Sequence, residues 1–407
     1  MIRAFRENWA LFAGMAMLMA SNGLLVTLIT VRSSALGLSG TEIGLMQAAY
    51  PLGALFGCVY APRLIERVGH VRTFGALASL CSVSAVVHLL TTDVASWAAM
   101  RLLSGLCFPG LYVVAESWLN AKAENRSRAA LLSIYFVIQT AGASVGQWMA
   151  GLEDASGNML FGLASILVSL SLVPLLVSRI AAPAYSAPDR LSLAQVARIS
   201  PTAVSGAFLN GMLQAAFYVA VPLYALALGL GSGGAATLLV AGTLSGAAAQ
   251  FPVGWLSDRV DRRIVIAALS VLNAGICAVL LAGVPPGALT ALFAVSGACS
   301  LPVYSLCLAY ANDHLSPGQV VPAGGTLVLT LNAGVLVGAF TGPAAIGAFG
   351  AAGLPAFMAA VSGATAAVAL IRQRQSEMPE RSGPVTPVSV QGVQTAGVLH
   401  PAAEAES

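Results

Sequence analysis

The chain has 407 residues, 57% of them hydrophobic and only 9% charged, with a formal net charge of +3. An average soluble domain carries about 25% charged residues, so a water-soluble surface of this size cannot be built. Neither a soluble enzyme nor a nucleic-acid partner is expected, and lipid becomes the expected outer solvent.

A membrane-crossing helix needs about 20 mostly apolar residues to cover a hydrocarbon core of about 30 Å. Such runs recur near residues 9–31, 43–62, 73–91, 96–119, 129–151, 158–178, 202–227, 234–257, 264–283, 288–311, 322–341 and 352–371. They are numbered spans 1 to 12. A β-barrel would show short alternating segments of about 10 residues, whereas these runs are long and apolar on all sides. Helices are therefore expected throughout.

Span 1 follows Arg3 and Arg6 and imitates a secretory signal. Its apolar run exceeds the roughly 7–15 residues of a signal, so an uncleaved first helix is expected. Span 1 carries Asn22 and Thr27, and span 2 carries Gln47 and Tyr50. The loop after span 2 reads Pro62-Arg63-Leu64-Ile65-Glu66-Arg67-Val68-Gly69-His70. His88, near the end of span 3, is expected at the lipid–water interface.

Span 4 is the most informative. At about 100° per residue, Arg101, Ser104, Gly105, Phe108, Tyr112 and Glu116 share one stripe. Ionisable groups in a span are costly against lipid and normally face a cavity or a partner. Arg101 reads as a cavity cation for an anionic group, with snorkelling to the headgroups as the plainer alternative. Glu116 reads as a protonatable coupling group, or else as a structural ion-pair partner of a loop residue such as Arg126, Arg128 or Arg259. The two lie 15 residues apart, about 22 Å along a helix, and cannot pair.

Span 5 carries Tyr135 and Gln139, and its Gly142-Ala143-Ser144-Val145-Gly146 fits the Gly-x-Ser-x-Gly nucleophile pattern. That pattern needs a strand before it; in mid-span it reads as small-residue helix packing. A polar, proline-containing stretch, 179–200, follows span 6. Span 7 repeats Asn210, Gln214 and Tyr218 at every fourth residue, and span 10 carries Tyr304. The loop after span 8 reads Gly254-Trp255-Leu256-Ser257-Asp258-Arg259-Val260-Asp261-Arg262-Arg263. Beyond Arg372 the composition turns to Pro, Ser, Gln and Glu, as in a disordered tail. The six cysteines all lie in apolar runs without a Cys-x-x-Cys pair, so no disulfide framework, metal or cofactor is expected.

All but two of the 19 Lys and Arg residues fall on one side of the span map; Arg32 lies on the other and Arg101 inside span 4. The positive-inside rule then places both termini in the cytoplasm and requires an even number of spans. A shift of 192 residues superimposes Glu66-Arg67 on Asp258-Arg259, Tyr112 on Tyr304 and Asn120 on Asn312. It also brings Gly105, Gly142 and Gly146 onto Gly297, Gly334 and Gly338. The expected organisation is a six-span bundle at 1–178, a cytoplasmic linker at 179–200, a second bundle at 201–372 and a tail at 373–407. Two like halves with a site between them are a transporter plan.

The loop after span 8 resembles the Gly-x-x-x-Asp-Arg-x-Gly-Arg-Arg signature of the major facilitator superfamily, and the loop after span 2 resembles a second copy. Pro62, His70 and Asp261 depart from the pattern. Arg101-x-x-Ser104-Gly105 is similar to that family's span-4 signature. The run Ala115-Glu116-Ser117-Trp118, with Asn125-Arg126-Ser127-Arg128 and Tyr135, further resembles a group of bacterial permeases typified by YcaD. The resemblance implies an all-α membrane protein of twelve helices in two pseudo-symmetric six-helix bundles, with spans 1, 4, 7 and 10 lining a central cavity. The expected function is secondary, proton-coupled transport (symport) of a small polar or anionic organic solute by a monomer in the bacterial inner membrane. Asn22, Arg101, Tyr112, Asn210, Gln214, Tyr218 and Tyr304 are the expected substrate contacts and Glu116 the coupling group. Glu66, Arg67, Gly69, Asp258 and Arg259 are the expected gate between the bundles. A drug or metabolite efflux antiporter and a non-transporting sensor on the same fold are the alternatives. The Gly-Pro pair of drug antiporters is missing from span 5, and Gly342-Pro343 occurs in span 11 instead. No enzyme is expected, because span residues offer no His, Asp or Cys cluster, and no nucleotide-binding loop is present.

Overall fold

A computed structural model of the chain describes residues 2–122, 125–153, 157–178 and 191–375, without the side chains of 2–7, 120–122, 125–130 and 317. Twelve helical segments at the expected spans occur among the described residues: Ile2–Ala35, Gly40–Val68, His70–Leu90, Val94–Lys122, Asn125–Met149, Met159–Val177, Pro201–Ala227, Gly231–Ser257, Arg262–Leu281, Pro286–Asn312, Pro317–Phe349 and Gly353–Gln375. No strand occurs among the described residues. Capping fixes several ends. Ser39 and Glu42 form a reciprocal capping box at the start of span 2, satisfying backbone donors that have no partner within the helix. Gly69 closes the same span at φ 82°, a left-handed conformation that favours glycine. The outward faces carry Leu45, Phe56, Val83, Ile166, Val173, Leu176, Val271 and Val279. In water that surface would be a liability; in lipid it is the matching solvent.

The 192-residue repeat is present in the packing. A β-carbon at Gly146 would collide with the Ala20 carbonyl, and one at Gly338 with the Met212 carbonyl. Gly142 against Ala16 is repeated by Gly334 against Phe208. Gly105 meets Tyr50, and Gly297 meets Gly242. Every partner in these pairs is displaced by the same 192 positions. Spans 1 and 5 therefore cross as spans 7 and 11 do, and spans 2 and 4 cross as spans 8 and 10 do. Glycine permits this because backbones in lipid gain contact chiefly by close approach. The Gly-x-Ser-x-Gly of span 5 lies within one of these crossings, in unbroken helix.

The halves meet along two lines. Gly40 and Gly44 of span 2 lie against Pro343 and Phe340 of span 11. Span 5 meets span 8 through Gln147 and Thr243, 3.2 Å apart, and through the edge-to-face pair Phe136–Phe251. Val31 at the end of span 1 packs with Phe217 and Tyr224 of span 7.

Two spans expected to be continuous are interrupted. Span 10 breaks at Leu301-Pro302, where proline lacks the N–H that would continue the ladder. In span 7, Ala216–Ala220 form a π turn, and the Val221 N–H reaches back to the Ala216 carbonyl. The wide turn comes just before Pro222, whose ring would otherwise press on the carbonyl one turn earlier.

Of the linker expected at 179–200, residues 179–190 lie outside the described residues. The remainder contains a short helix, Leu193–Ile199, with a Ser192–Gln195 capping box. Val196 is fully buried, and Thr326 of span 11 donates to the Leu191 carbonyl. Of the expected tail, 373–375 form the last turn of span 12; the rest lies outside the described residues.

Candidate functional site

The crossing at Gly105 sets up the site. With no side chain there, span 4 lies directly against the backbone of Tyr50. Arg101, one turn away on the same face, is thereby brought over the Tyr50 ring, 4.3 Å from its centroid. This cation–π contact offsets part of the cost of burying a guanidinium. Arg101 is 3% exposed, its Nε has no hydrogen-bond partner, and no carboxylate pairs with it among the described residues. The plainer alternative, snorkelling to the headgroups, does not match a side chain enclosed between two helix bundles.

Arg101 lines a cavity of about 90 Å3 between the halves, room for several water molecules. The N-terminal half contributes Asn22, Val26, Gln47, Tyr50 and Pro51 besides Arg101, and the C-terminal half contributes Gln214, Tyr218, Asn332 and apolar neighbours. The π turn of span 7 forms part of the wall, since Tyr218 and Val219 belong to it and Gln214 and Ala215 precede it. A π turn inside an α-helix is frequently a mark of a functional site.

Each amide in the wall is tied back to protein. Asn22 donates from Nδ2 to the Tyr112 hydroxyl at 2.9 Å, and Gln47 from Nε2 to the Thr30 hydroxyl at 2.7 Å. Gln214 donates to Asn210 Oδ1 at 2.7 Å, and Asn210 in turn donates to the Ser300 carbonyl at 2.8 Å. Asn332 donates to the Val328 carbonyl at 2.8 Å.

Of the expected substrate contacts, the structure brings Asn22, Arg101, Gln214 and Tyr218 together in the wall. Tyr112 and Asn210 stand behind it, fixing Asn22 and Gln214. Tyr304 lies elsewhere, buried with Leu308 and Cys58 in a different cluster; the break at Pro302 separates its half-helix from the rest of span 10. Gln47 and Tyr50, read only as polar residues of span 2, are wall residues. Asn332 escaped the sequence reading, although an amide in an otherwise apolar stretch of span 11 was the available signal. Span 10 contributes no wall residue, contrary to the expectation that spans 1, 4, 7 and 10 line the cavity. Spans 2 and 11 supply wall residues because their glycines bring them into contact.

Glu116 is 5% exposed and lies near enough to Tyr112, Tyr135 and Tyr304 for its charge to act on all three phenols. Arg126 and Arg128, named as possible partners, have side chains outside the described set. His88, expected at the interface, turns into the bundle rather than outward. It is buried, donates from Nδ1 to the Ser84 carbonyl at 2.6 Å and stacks on Phe161.

The expected gate residues lie in the two loops. Glu66 and Arg67 are exposed, and Gly69 makes the turn between spans 2 and 3. Arg259 is exposed and covers the Trp255 ring at 3.8 Å. In the loop after span 8, Arg262 pairs with Asp313 at 2.7 Å and Asp258 at 3.1 Å, and Arg263 with Asp261 at 2.7 Å. Arg263 also donates to the Arg372 carbonyl. These contacts tie spans 8, 9, 10 and 12 together within one half rather than joining the two halves. Loop geometry decides this: Asp261 caps span 9, which turns the following two arginines inward.

A profile of the Major Facilitator Superfamily matches the chain twice, at residues 10–202 and 203–398. The chain belongs to the Major Facilitator Superfamily. It is a multi-pass membrane transporter by that membership. It is similar to the uncharacterized MFS-type transporter YcaD of Salmonella arizonae, 26% identical over 335 residues, covering 81% of this chain and 86% of the relative. An MFS-type transporter of Yersinia pseudotuberculosis is 25% identical over 341 residues, covering 81% and 86%. Among solved structures, the nucleoside transporter NupG superimposes with a TM-score of 0.71 at 12% identity, covering 91% of this chain and all of that one. A bacterial homolog of the human lysosomal transporter Spinster, inward-facing and occupied, gives 0.70 at 17% identity, covering 92% and 97%. At these identities the structural likeness speaks for the superfamily fold alone.

Proposed function

We propose that this MFS protein is a secondary active transporter of a small anionic organic solute, working by alternating access and coupled to protons. The observation that carries the reading is Arg101: a buried cation in the wall between two repeated bundles, facing a cavity that contains no acid. A charge in such a place is costly unless something compensates it, and the Tyr50 ring does so only in part. A solute anion would complete it. Glu116, a buried carboxylate in span 4, is the group available to carry a proton. The Arg262 and Arg263 network would hold the basic end of the C-terminal bundle rigid, so that the bundle rocks as a unit. The arginine bias supports a bacterial inner-membrane placement with both termini in the cytoplasm.

The test is uptake of radiolabelled organic anions into proteoliposomes under an imposed pH gradient. Arg101→Ala is expected to reduce anion uptake by at least tenfold, with the protein still folded and monodisperse. Glu116→Gln is expected to retain counterflow but lose its dependence on the gradient. Normal uptake by Arg101→Ala would remove the anion assignment, and unaltered proton dependence in Glu116→Gln would return that residue to a packing role.

A further inference from the structure

The hydrogen-bond directions in the wall constrain the solute further than its charge. An amide offers both a donor and an acceptor, and which one faces the cavity depends on what holds the other. Here the surrounding bonds decide it. The Thr30 hydroxyl donates to the Val26 carbonyl, so it can only accept from Gln47, which must present Nε2 to it. The Ser300 carbonyl can only accept, so Asn210 turns its NH2 that way and its oxygen toward Gln214 Nε2. The Val328 carbonyl likewise takes the NH2 of Asn332.

What remains is the oxygen of each amide. Gln47 Oε1 is buried without a partner. Gln214 and Asn332 make no further hydrogen bond among the described residues. The wall therefore combines one cation, Arg101, with the amide oxygens of Gln47, Gln214 and Asn332, contributed by both bundles. An alkanoate would satisfy the guanidinium but offer these acceptors no donor, and a polar group left unpaired beside a bound solute is disfavoured. A solute that brings its own donors would not.

Resting on the reading of Arg101 as an anion site, we infer that the solute is a hydroxylated monocarboxylate. Its carboxylate pairs with Arg101 and its hydroxyls donate to the amide oxygens. A site built to receive donors discriminates strongly against the analogue that lacks them.

The experiment titrates the detergent-purified protein by thermal stabilisation with matched acids of three to six carbons: propionate, lactate, glycerate, hexanoate and gluconate, with glycerol and sorbitol as neutral polyols. In the pair of best-fitting length, the hydroxy acid is expected to bind at least about tenfold more tightly than its deoxy counterpart. Gln47→Leu should narrow that preference, weakening the hydroxy acid more than the deoxy acid. Gln214→Leu, on the other bundle, gives the same test should Gln47→Leu not fold. Arg101→Ala should abolish binding of every acid. Equal affinities within each pair, still dependent on Arg101, would overturn the hydroxyl inference and leave the anion site standing. Polyols binding as tightly as the hydroxy acids would remove the anion reading. No binding by any acid would remove both.

Discussion

Asn22 and Gln214 occupy the same position in the two halves, 192 residues apart, and face the same cavity from opposite bundles. Each is held by a buried polar residue of its own bundle, Asn22 by Tyr112 and Gln214 by Asn210. Val26 and Tyr218, one turn further along, are related in the same way and also line the wall. The site thus lies across the pseudo-twofold relation, and its asymmetry comes from Arg101, whose repeat counterpart is Phe293. One bundle supplies the charge, and the other supplies a matching amide without it.

Asn210 should behave as a positioning residue and Gln214 as a contact. Asn210→Ala removes the donor to the Ser300 carbonyl and the acceptor for Gln214, leaving buried polar groups unpaired at about 1–3 kcal/mol each. Its apparent melting temperature in detergent should fall, and ligand affinity should fall with it. Gln214→Ala should lower affinity with little change in melting temperature. Equal destabilisation by both variants would mean that Gln214 is a packing residue.

The glycine crossings give a prediction whose sign differs between two positions in helices. Replacing glycine by alanine within a helix normally stabilises by about 1 kcal/mol. A β-carbon at Gly162 would meet no atom within 4 Å, so Gly162→Ala should leave the melting temperature unchanged or raise it. Gly146→Ala forces a methyl into the Ala20 carbonyl, where overpacking costs about 1–3 kcal/mol, and should lower it. Thermal unfolding of the two single variants, side by side, decides the matter.

The fold was legible in the sequence because lipid demands long apolar runs and the repeat preserved residues at a fixed offset. Arg101 was legible for a related reason: a charge that is costly against lipid stands out. Asn332 was not, because its place in the wall depends on how span 11 meets span 2, a contact between distant segments. Nor was the inward turn of Arg262 and Arg263, since all three arginines satisfy the same loop pattern and only the cap at Asp261 decides which turn inward. Tyr304 misled because the repeat matched it to Tyr112, while Pro302 interrupts the helix on which that equivalence relied.

The Arg262–Asp313 pair should be the costliest polar contact in the basic end of the molecule to break singly. Both side chains are 2% exposed, and removing one partner leaves a buried charge, at about 3–5 kcal/mol. Arg262→Met and Asp313→Leu should each lower expression and melting temperature sharply, and the double variant should recover much of the loss. Arg259→Ala, at an exposed position, should change stability by at most about 1 kcal/mol. A double variant no better than the worse single one would show that the pair is not energetically coupled.

Pro222 tests the π turn. Without proline, the clash that keeps the Ala216–Ala220 turn wide is absent, and an alanine N–H becomes available to close an ordinary α-helical turn. Closing it would rotate the helix on one side of the turn relative to the other by about 100°, the angle of one residue. Gln214 lies on one side and Pro222 on the other, so the wall would change shape without losing a single wall side chain. Pro222→Ala is therefore expected to keep or raise the melting temperature and to reduce ligand affinity by about tenfold, a loss of about 1.4 kcal/mol. Unchanged affinity, with the protein as stable as before, would mean that the wide turn only accommodates the proline and does not shape the site.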